Sequence, residues 1–108
     1  MRGWVVALAL WPGVAGAEEW RALSGAEIRS ALSARVLQYE DAVAQDFFAD
    51  GRTLYGESWG RWRVEGDAYC SIWPPSDRWD CLAVEARGID VRFLGDGEPV
   101  VGKYADLQ

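Results

Sequence analysis

Both cysteines of the chain lie within thirteen residues, Tyr69-Cys70-Ser71-Ile72-Trp73-Pro74-Pro75-Ser76-Asp77-Arg78-Trp79-Asp80-Cys81. Strand-forming residues flank the turn-forming pair Pro74-Pro75, so this stretch predicts a β-hairpin. We expect a disulfide between Cys70 and Cys81 at the base of the hairpin. Such bonds persist outside the reducing cytosol, and the stretch therefore indicates an exported β-protein.

The alternative role for the two cysteines is metal binding. The sequence contains no histidine, and two thiolates alone do not complete the four-ligand shell of a structural zinc ion. A disulfide is therefore the expected state, and closing this short loop should stabilise the fold by about 3 kcal/mol. We expect no metal and no cofactor.

Pairing Cys70 with Cys81 also sets the register of the hairpin. In an antiparallel pair the residue numbers of opposite positions have a constant sum, which here is 151. The expected neighbours are Tyr69 with Leu82, Ile72 with Trp79, and Trp73 with Arg78. The turn itself then consists of residues 74–77.

The same register assigns side chains to the two faces of the hairpin, since strand side chains alternate. Ile72 and Trp79 share the face of the disulfide, whereas Ser71 and Trp73 point to the other face. Arg78 is expected to stack on Trp73 as a cation–π pair worth about 0.5–1 kcal/mol if exposed.

The first 17 residues read as a secretory signal. Arg2 supplies a positive start, residues 4–14 are mostly apolar, and Ala15-Gly16-Ala17 fits the small-x-small pattern of a cleavage site. The alternative is a membrane anchor, but an apolar run of about 11 residues is shorter than the roughly 20 that span a bilayer. We expect cleavage after Ala17 and a periplasmic or secreted protein without a membrane span.

The mature chain, residues 18–108, is then a single small β-rich domain. Without Arg2 it carries ten basic and seventeen acidic residues, a formal charge of −7. Nucleic-acid binding needs clustered Lys and Arg, so we expect no nucleic-acid partner. A monomer is expected.

One short helix is predicted before the strands begin. Ser24 can cap it, Glu27 can reach back to the cap, and Leu23 with Ile28 forms a hydrophobic staple. This pattern predicts a helix over Gly25–Ser33 that packs on a sheet.

After Ala34 the pattern changes to short apolar runs separated by turn residues. The predicted strands span 35–40, 46–49, 52–55, 59–65, 68–73, 79–85, 89–93 and 100–104. Asp50-Gly51 predicts a two-residue hairpin of type I′. Seven or eight antiparallel strands joined by tight turns predict an up-and-down sheet that curls into a barrel, with the helix at one end or across one side.

The hairpin of residues 69–81 suggests binding, and we place five candidate binding residues in and beside it: Trp62, Tyr69, Trp73, Arg78 and Trp79. In one version Trp62, Tyr69 and Trp73 line a pocket for a small apolar or sugar ligand. In another the rigid loop protrudes toward an envelope protein, as in small exported hydrolase inhibitors. The structural alternative is that Trp73 and Trp79 merely cover the end of the barrel.

The sequence offers little for catalysis, and we expect no enzyme. It has no histidine, its cysteines are assigned to the disulfide, and it lacks nucleotide and phosphate-binding motifs. A hydrolase with Glu57 and Asp80 as paired carboxylates is the remaining enzymatic alternative, and it needs their oxygens about 5–10 Å apart. A structural envelope protein without a soluble ligand is a further alternative.

Several segments together resemble a family of short, exported proteobacterial proteins of unknown function. The resemblance lies in residues 23–28, 45–48, 51–55, 60–64 and, above all, in the motif Tyr-Cys-Ser-x-Trp-Pro-Pro-Ser at 69–76 with Trp-Asp-Cys at 79–81. It implies a signal peptide and a small β-rich domain without an established activity. Some such sequences carry the name dihydrodipicolinate reductase, but a mature chain of 91 residues without a dinucleotide-binding fold is too small for that chemistry.

Overall fold

The computed structural model describes residues 19–106. The predicted signal, residues 1–17, lies outside the described residues. Within residues 19–106, no helix is both long enough and apolar enough to span a bilayer.

The described residues form one helix and nine strands. The helix α1 spans Gly25–Leu32. The strands are β1 Arg21–Ala22, β2 Arg35–Tyr39, β3 Ala44–Phe47, β4 Arg52–Tyr55, β5 Ser58–Glu65, β6 Ala68–Ile72, β7 Asp80–Arg87, β8 Asp90–Leu94 and β9 Val100–Tyr104.

Strands β2 to β9 close into an eight-stranded antiparallel barrel, which confirms the predicted fold. Each strand pairs with the next along the chain, and β9 pairs back onto β2, with Tyr104 opposite Leu37. The additional strand β1 lies along the second half of β7, with Arg21 opposite Ala86. Closure leaves the barrel without an unpaired edge among these eight strands.

The seam between β2 and β9 is held by side chains as well as by the backbone. Arg35 donates two hydrogen bonds to the carboxylate of Asp106, at 3.0 and 3.2 Å. The guanidinium of Arg35 also lies over the ring of Tyr104, 3.8 Å from its centroid. These contacts join the first and the last of the eight barrel strands.

Helix α1 closes one end of the barrel. Ser24 and Glu27 form the predicted capping box, and the backbone N–H of Gly25 donates to Asp67 in the turn between β5 and β6, at 2.8 Å. Ile28 and Leu32 are fully buried in the barrel core. The helix ends one residue before the predicted boundary, because Ser33 adopts extended backbone as the C-cap.

The core of the barrel is apolar and rich in rings. Its buried members are Leu23, Ile28, Leu32, Leu37, Phe47, Trp62, Tyr69, Val84, Val91 and Phe93. Phe47 lies in the middle and meets Trp62 and Tyr69 edge to face, with centroids 5.8 and 5.9 Å apart. Each such aromatic pair contributes about 0.5–1.5 kcal/mol beyond its buried area.

The turn between β3 and β4 differs from the predicted type I′ hairpin. Gly51 donates to the carbonyl of Phe48 at 3.0 Å, and Phe48 donates to the carbonyl of Arg52 at 2.9 Å. Gly51 alone has a positive φ, +96°, whereas a type I′ turn would need one at Asp50 as well. The loop is therefore a three-residue connection with a glycine bulge, and β3 ends at Phe47, two residues before the predicted boundary.

The cysteine hairpin has the predicted covalent bond and register. Cys70 is bonded to Cys81 and lies directly opposite it in the β6–β7 ladder. The ladder stops at Ser71 opposite Asp80, so the predicted neighbours further out are wrong. The chain leaves the ladder at Trp73, whose carbonyl accepts from the N–H of Ser76 at 2.9 Å, across a turn that contains a cis Pro74–Pro75 bond.

Candidate ligand site at the barrel mouth

The end of the barrel opposite α1 is open and holds a cavity of about 310 Å³. Strand directions alternate, so the loops at residues 40–43, 56–57, 73–79 and 95–99 all lie at this end. We call the cavity the cup, and its lining residues are Tyr39, Gln45, Tyr55, Tyr69, Ser71, Trp73, Leu82, Phe93 and Val100. It has the size of a small-molecule site.

Aromatic rings form most of the wall of the cup. The ring centroids of Tyr39 and Tyr55 are 5.9 Å apart, and those of Tyr55 and Trp73 are 6.3 Å apart at an angle of 74°. Below them, Tyr69 and Phe93 lie 5.1 Å apart. A ligand in the cup would therefore meet π-faces and ring edges near the mouth and again near the floor.

A buried hydrogen-bond network lies beneath these rings, centred on the amide of Gln45. Its oxygen accepts from the hydroxyl of Tyr39 at 2.7 Å, and its nitrogen donates to Thr53 at 2.9 Å and to the Tyr69 hydroxyl at 3.4 Å. Thr53 in turn donates to the carbonyl of Asp46. The amide oxygen and both amide N–H groups are hydrogen-bonded, which fixes the orientation of the side chain.

The pair Tyr69 and Ser71 contributes a donor to the cup. Tyr69 accepts from Gln45 at 3.4 Å, Ser71 accepts from Trp73 Nε1 at 3.1 Å, and the neighbouring Ser71 hydroxyl acts to lower the pKa of Tyr69. At most one of the two hydroxyl protons can lie between the two oxygens, so at least one proton is left to donate to a ligand. Both side chains are more than nine-tenths buried. A buried donor is costly when unpaired, and this proton is placed to bind an acceptor atom of a ligand.

Trp73 enters the mouth of the cup because Gly60 leaves space for it. A Cβ atom at position 60 would lie 2.6 Å from Cε3 of Trp73 and 2.8 Å from the carbonyl oxygen of Ile72. The indole therefore packs flat on the backbone of β5 and donates to Ser71. Its position makes it a wall of the cup and not part of a projecting loop.

The phenols of the cup are neutral at ordinary pH. Burial raises the pKa of Tyr39, with smaller contributions from Tyr69, Tyr55 and Asp41. Burial likewise raises the pKa of Tyr69 and, together with the hydrogen bond to Asp41, that of Tyr55. These hydroxyls therefore remain hydrogen-bond donors across the physiological range.

Two of the five candidate binding residues, Tyr69 and Trp73, line the cup, and the other three do not. Trp62 is a core residue, and its Nε1 donates to the carbonyl of Phe48 at 2.9 Å. Trp62, which one version of the binding hypothesis placed in a pocket wall, is not among the residues that line the cup. Its position in the middle of β5 places its ring below the cup, against Phe47.

Trp79 and Arg78 lie outside the cup. The guanidinium of Arg63 covers the ring of Trp79 at 3.9 Å. Arg78 is exposed. Among the cation–π contacts within residues 19–106, Arg78 does not stack on Trp73. The ring of Trp73 packs against that of Tyr55 instead, at an angle of 74°, because the chain has left the ladder that would have placed Arg78 opposite Trp73.

The paired-carboxylate alternative gains no support from the placement of its residues. Glu57 lies in the turn between β4 and β5, Asp80 begins β7, and neither lines the cup. Glu65 lies near both cysteine sulfurs, but the sulfurs are bonded to each other and offer no thiolate for a metal.

Sequence analysis missed most of the cup: Tyr39, Gln45, Tyr55, Ser71, Leu82, Phe93 and Val100. A signal was present in the alternation of the strands. Gln45 and Phe47 share a face of β3, as Thr53 and Tyr55 share a face of β4, and a buried Gln on an apolar face indicates a polar network. Which inward positions meet at the same end becomes clear only when the barrel closes.

Comparison of the chain with protein-family models, with curated proteins and with solved structures finds no match in any of the three. The disulfide is compatible with an extracellular or periplasmic location.

Proposed function

We propose that this protein is an exported, non-enzymatic binding domain that holds a small ligand in the cup. The ligand has an apolar or aromatic body and at least one acceptor atom. The cup carries this proposal, because it joins aromatic walls to a buried hydroxyl donor at the open end of a rigid barrel. Few polar groups in an apolar pocket are typical of small-molecule sites.

The placement of Trp73 favours a small ligand over a protein partner. A recognition loop would expose its large aromatic as an anchor, whereas Trp73 is turned into the cup and hydrogen-bonded to Ser71. The exposed part of the loop consists of residues 74–78. These residues include no large apolar side chain to anchor a partner.

Titration with N-phenyl-1-naphthylamine, a neutral dye whose fluorescence rises in apolar sites, tests the proposal. We expect saturable binding to the wild-type protein and at least about tenfold weaker binding to Val100→Trp, since a bulky indole at the rim fills the cup. Ile89→Trp is the control, because Ile89 is exposed in the turn between β7 and β8, at the opposite end of the barrel, and does not line the cup. A dye that does not bind, or that binds both variants equally, contradicts the proposal.

A further inference from the structure

Three rings near the mouth of the cup form an arc that suits a cation. Tyr39, Tyr55 and Trp73 follow one another around the wall, and each ring is in contact with the next. The faces of aromatic rings carry negative electrostatic potential. Several such faces around one point bind a positive charge, and methylated ammonium groups are the ligands that aromatic cages recognise.

The rim of the cup carries negative charge, which favours the binding of a cation. The cup continues into a groove lined by Glu40 and Asp41, and Tyr39, Tyr55 and Val100 line both cavities. The hydroxyl of Tyr55 donates to the carboxylate of Asp41 at 3.2 Å. This bond places a negative charge beside the aromatic arc and enriches the Tyr55 ring in electron density.

Among residues 19–106, no basic side chain lines either cavity. The described residues around the cup and the adjoining groove include two carboxylates and no Lys or Arg. Elsewhere on the described barrel, arginines cover partly exposed aromatic rings, as Arg63 covers Trp79 and Arg52 covers Phe48. The rings of the cup differ from these in that no guanidinium of residues 19–106 lies among the lining residues.

We propose that the ligand of the cup carries a methylated ammonium group, held by Tyr39, Tyr55 and Trp73 next to the carboxylate of Asp41. This inference rests on the proposed function and adds the chemical class of the ligand. A quaternary ammonium has no N–H groups to satisfy, so the ring faces and the nearby carboxylate are sufficient partners. The hydroxyl donor of the Tyr69–Ser71 pair lies deeper and binds an oxygen on the same molecule.

Titration calorimetry with choline and its neutral carbon isostere, 3,3-dimethylbutan-1-ol, tests the inference. The two molecules have the same shape and the same hydroxyl group, and they differ in charge. We expect choline to bind the wild-type protein at least about tenfold more tightly, since a partly desolvated cation–π site discriminates by this order. The carboxylate analogue 3,3-dimethylbutanoate should bind most weakly.

Two variants locate the effect. Tyr55→Leu keeps an apolar wall but removes one ring, and Asp41→Asn removes the rim charge with little change in shape. We expect each to weaken choline binding about threefold to tenfold while changing binding of the neutral isostere less than twofold. Asp50→Asn, which removes a charge at the opposite end of the barrel, is the matched control and should leave choline binding unchanged.

Equal or tighter binding of the neutral isostere would overturn the cation proposal, as would an absence of choline binding. If N-phenyl-1-naphthylamine still binds in the cup, the proposed small-ligand function survives that failure. If neither probe binds, both proposals fall. Competition with phosphocholine distinguishes two possible sources of the ammonium group. If phosphocholine competes as well as choline, the ligand is a phosphocholine headgroup, and if it competes weakly, the ligand is a free methylated amine. Either result supports a methylated ammonium ligand.

Discussion

Single residues decide the shape of the cup, and Gly60 is the clearest case. Position 60 requires glycine because there is no space for a side chain. The residue lies in a regular strand, and the ring of Trp73 and the carbonyl of Ile72 occupy the volume that a methyl group would need. Trp73 in turn orients Ser71 by donating to its hydroxyl. A change at one glycine therefore reaches both the aromatic wall and the buried donor of the site.

Gly60→Ala should lower the free energy of unfolding by about 1–3 kcal/mol, the usual cost of overpacking. It should also weaken binding of N-phenyl-1-naphthylamine, because the indole of Trp73 must move. Urea unfolding followed by circular dichroism gives the first quantity and dye titration gives the second. Gly97→Ala is the control, since a Cβ there meets nothing within 4 Å, and it should change neither. A Gly60→Ala protein as stable as the wild type would contradict the assigned role.

The sequence predicts which residues of the hairpin lie opposite each other, but it does not predict where the aromatic side chains point. Cys70 opposite Cys81 implies Tyr69 opposite Leu82, and this register is present. Trp62 and Trp73 are both large aromatics near the hairpin, yet one is a core residue and the other lines the cup. The two tryptophans differ in their position along the barrel axis. That position depends on how distant strands pair, which no local sequence pattern specifies.

Among the elements, the β6–β7 hairpin has the strongest covalent support. Its disulfide bridges neighbouring strands on the outer wall, so it does not pass through the core or the cup. Cys70 is buried on that wall while Cys81 is exposed, and Arg63 lies opposite Cys70 in the β5–β6 ladder. The bond therefore restrains the unfolded chain and anchors the base of the loop that carries Trp73.

Replacing both Cys70 and Cys81 by serine should lower the free energy of unfolding by up to about 3 kcal/mol, the chain-entropy contribution of a loop this short. Denaturant unfolding of the oxidised wild type and of the double variant measures the difference. Adding a reductant should bring the wild type to the level of the variant and leave the variant unchanged. Equal stability of oxidised and reduced wild type would refute this role for the bond.

Elements were easier to predict than the site, because their signals are local. The capping box at Ser24 and Glu27 needs only four consecutive residues, and alternation identifies the strands. The β3–β4 turn was predicted less well, since Asp-Gly suits both a type I′ turn and a bulged loop. The cup draws residues from seven strands and the 73–79 loop, so its membership follows from barrel closure and not from any one segment.

On the scale of the whole molecule, the titrating groups predict how stability depends on pH. The sequence has no histidine, and both cysteines are bonded, so no side chain with an ordinary pKa near neutrality is present. Hydrogen bonds from Arg35 lower the pKa of Asp106, and backbone hydrogen bonds at Ser24 and Arg52 lower those of Glu27 and Asp50. Burial raises the pKa of Tyr39, Tyr69 and Tyr104.

The free energy of unfolding should therefore be flat from about pH 6 to pH 9 and fall on both sides. The lowered carboxyl pKa values contribute stability that is present above the ordinary values of 3.8 and 4.5 and is lost as the pH falls below them. The raised tyrosine pKa values contribute stability that is present below 10.0 and is lost as the pH rises beyond it. Thermal unfolding across this range measures the profile.

Tyr39→Phe should flatten the alkaline limb of that profile, because Tyr39 is buried and must otherwise stay protonated. Tyr55→Phe, at a position more than a third exposed, should flatten it less. A wild-type protein whose stability changes steeply between pH 6 and pH 9, or a Tyr39→Phe variant with an unchanged alkaline limb, would show that other groups control the titration.

The seam between β2 and β9 gives the barrel a preferred place to come apart. Every other pairing around the ring joins consecutive strands, whereas Gly102 lies opposite Tyr39, 63 positions earlier in the chain. Such distant pairing costs the most loop entropy, so we expect this junction to be the last to form during folding. Tyr39 and Val100 belong to the two strands that meet there and both line the cup. Transient separation of β2 and β9 would widen the entrance of the cup on one side. A bulky ligand could then enter between these two strands while the other strand pairs of the barrel stay formed.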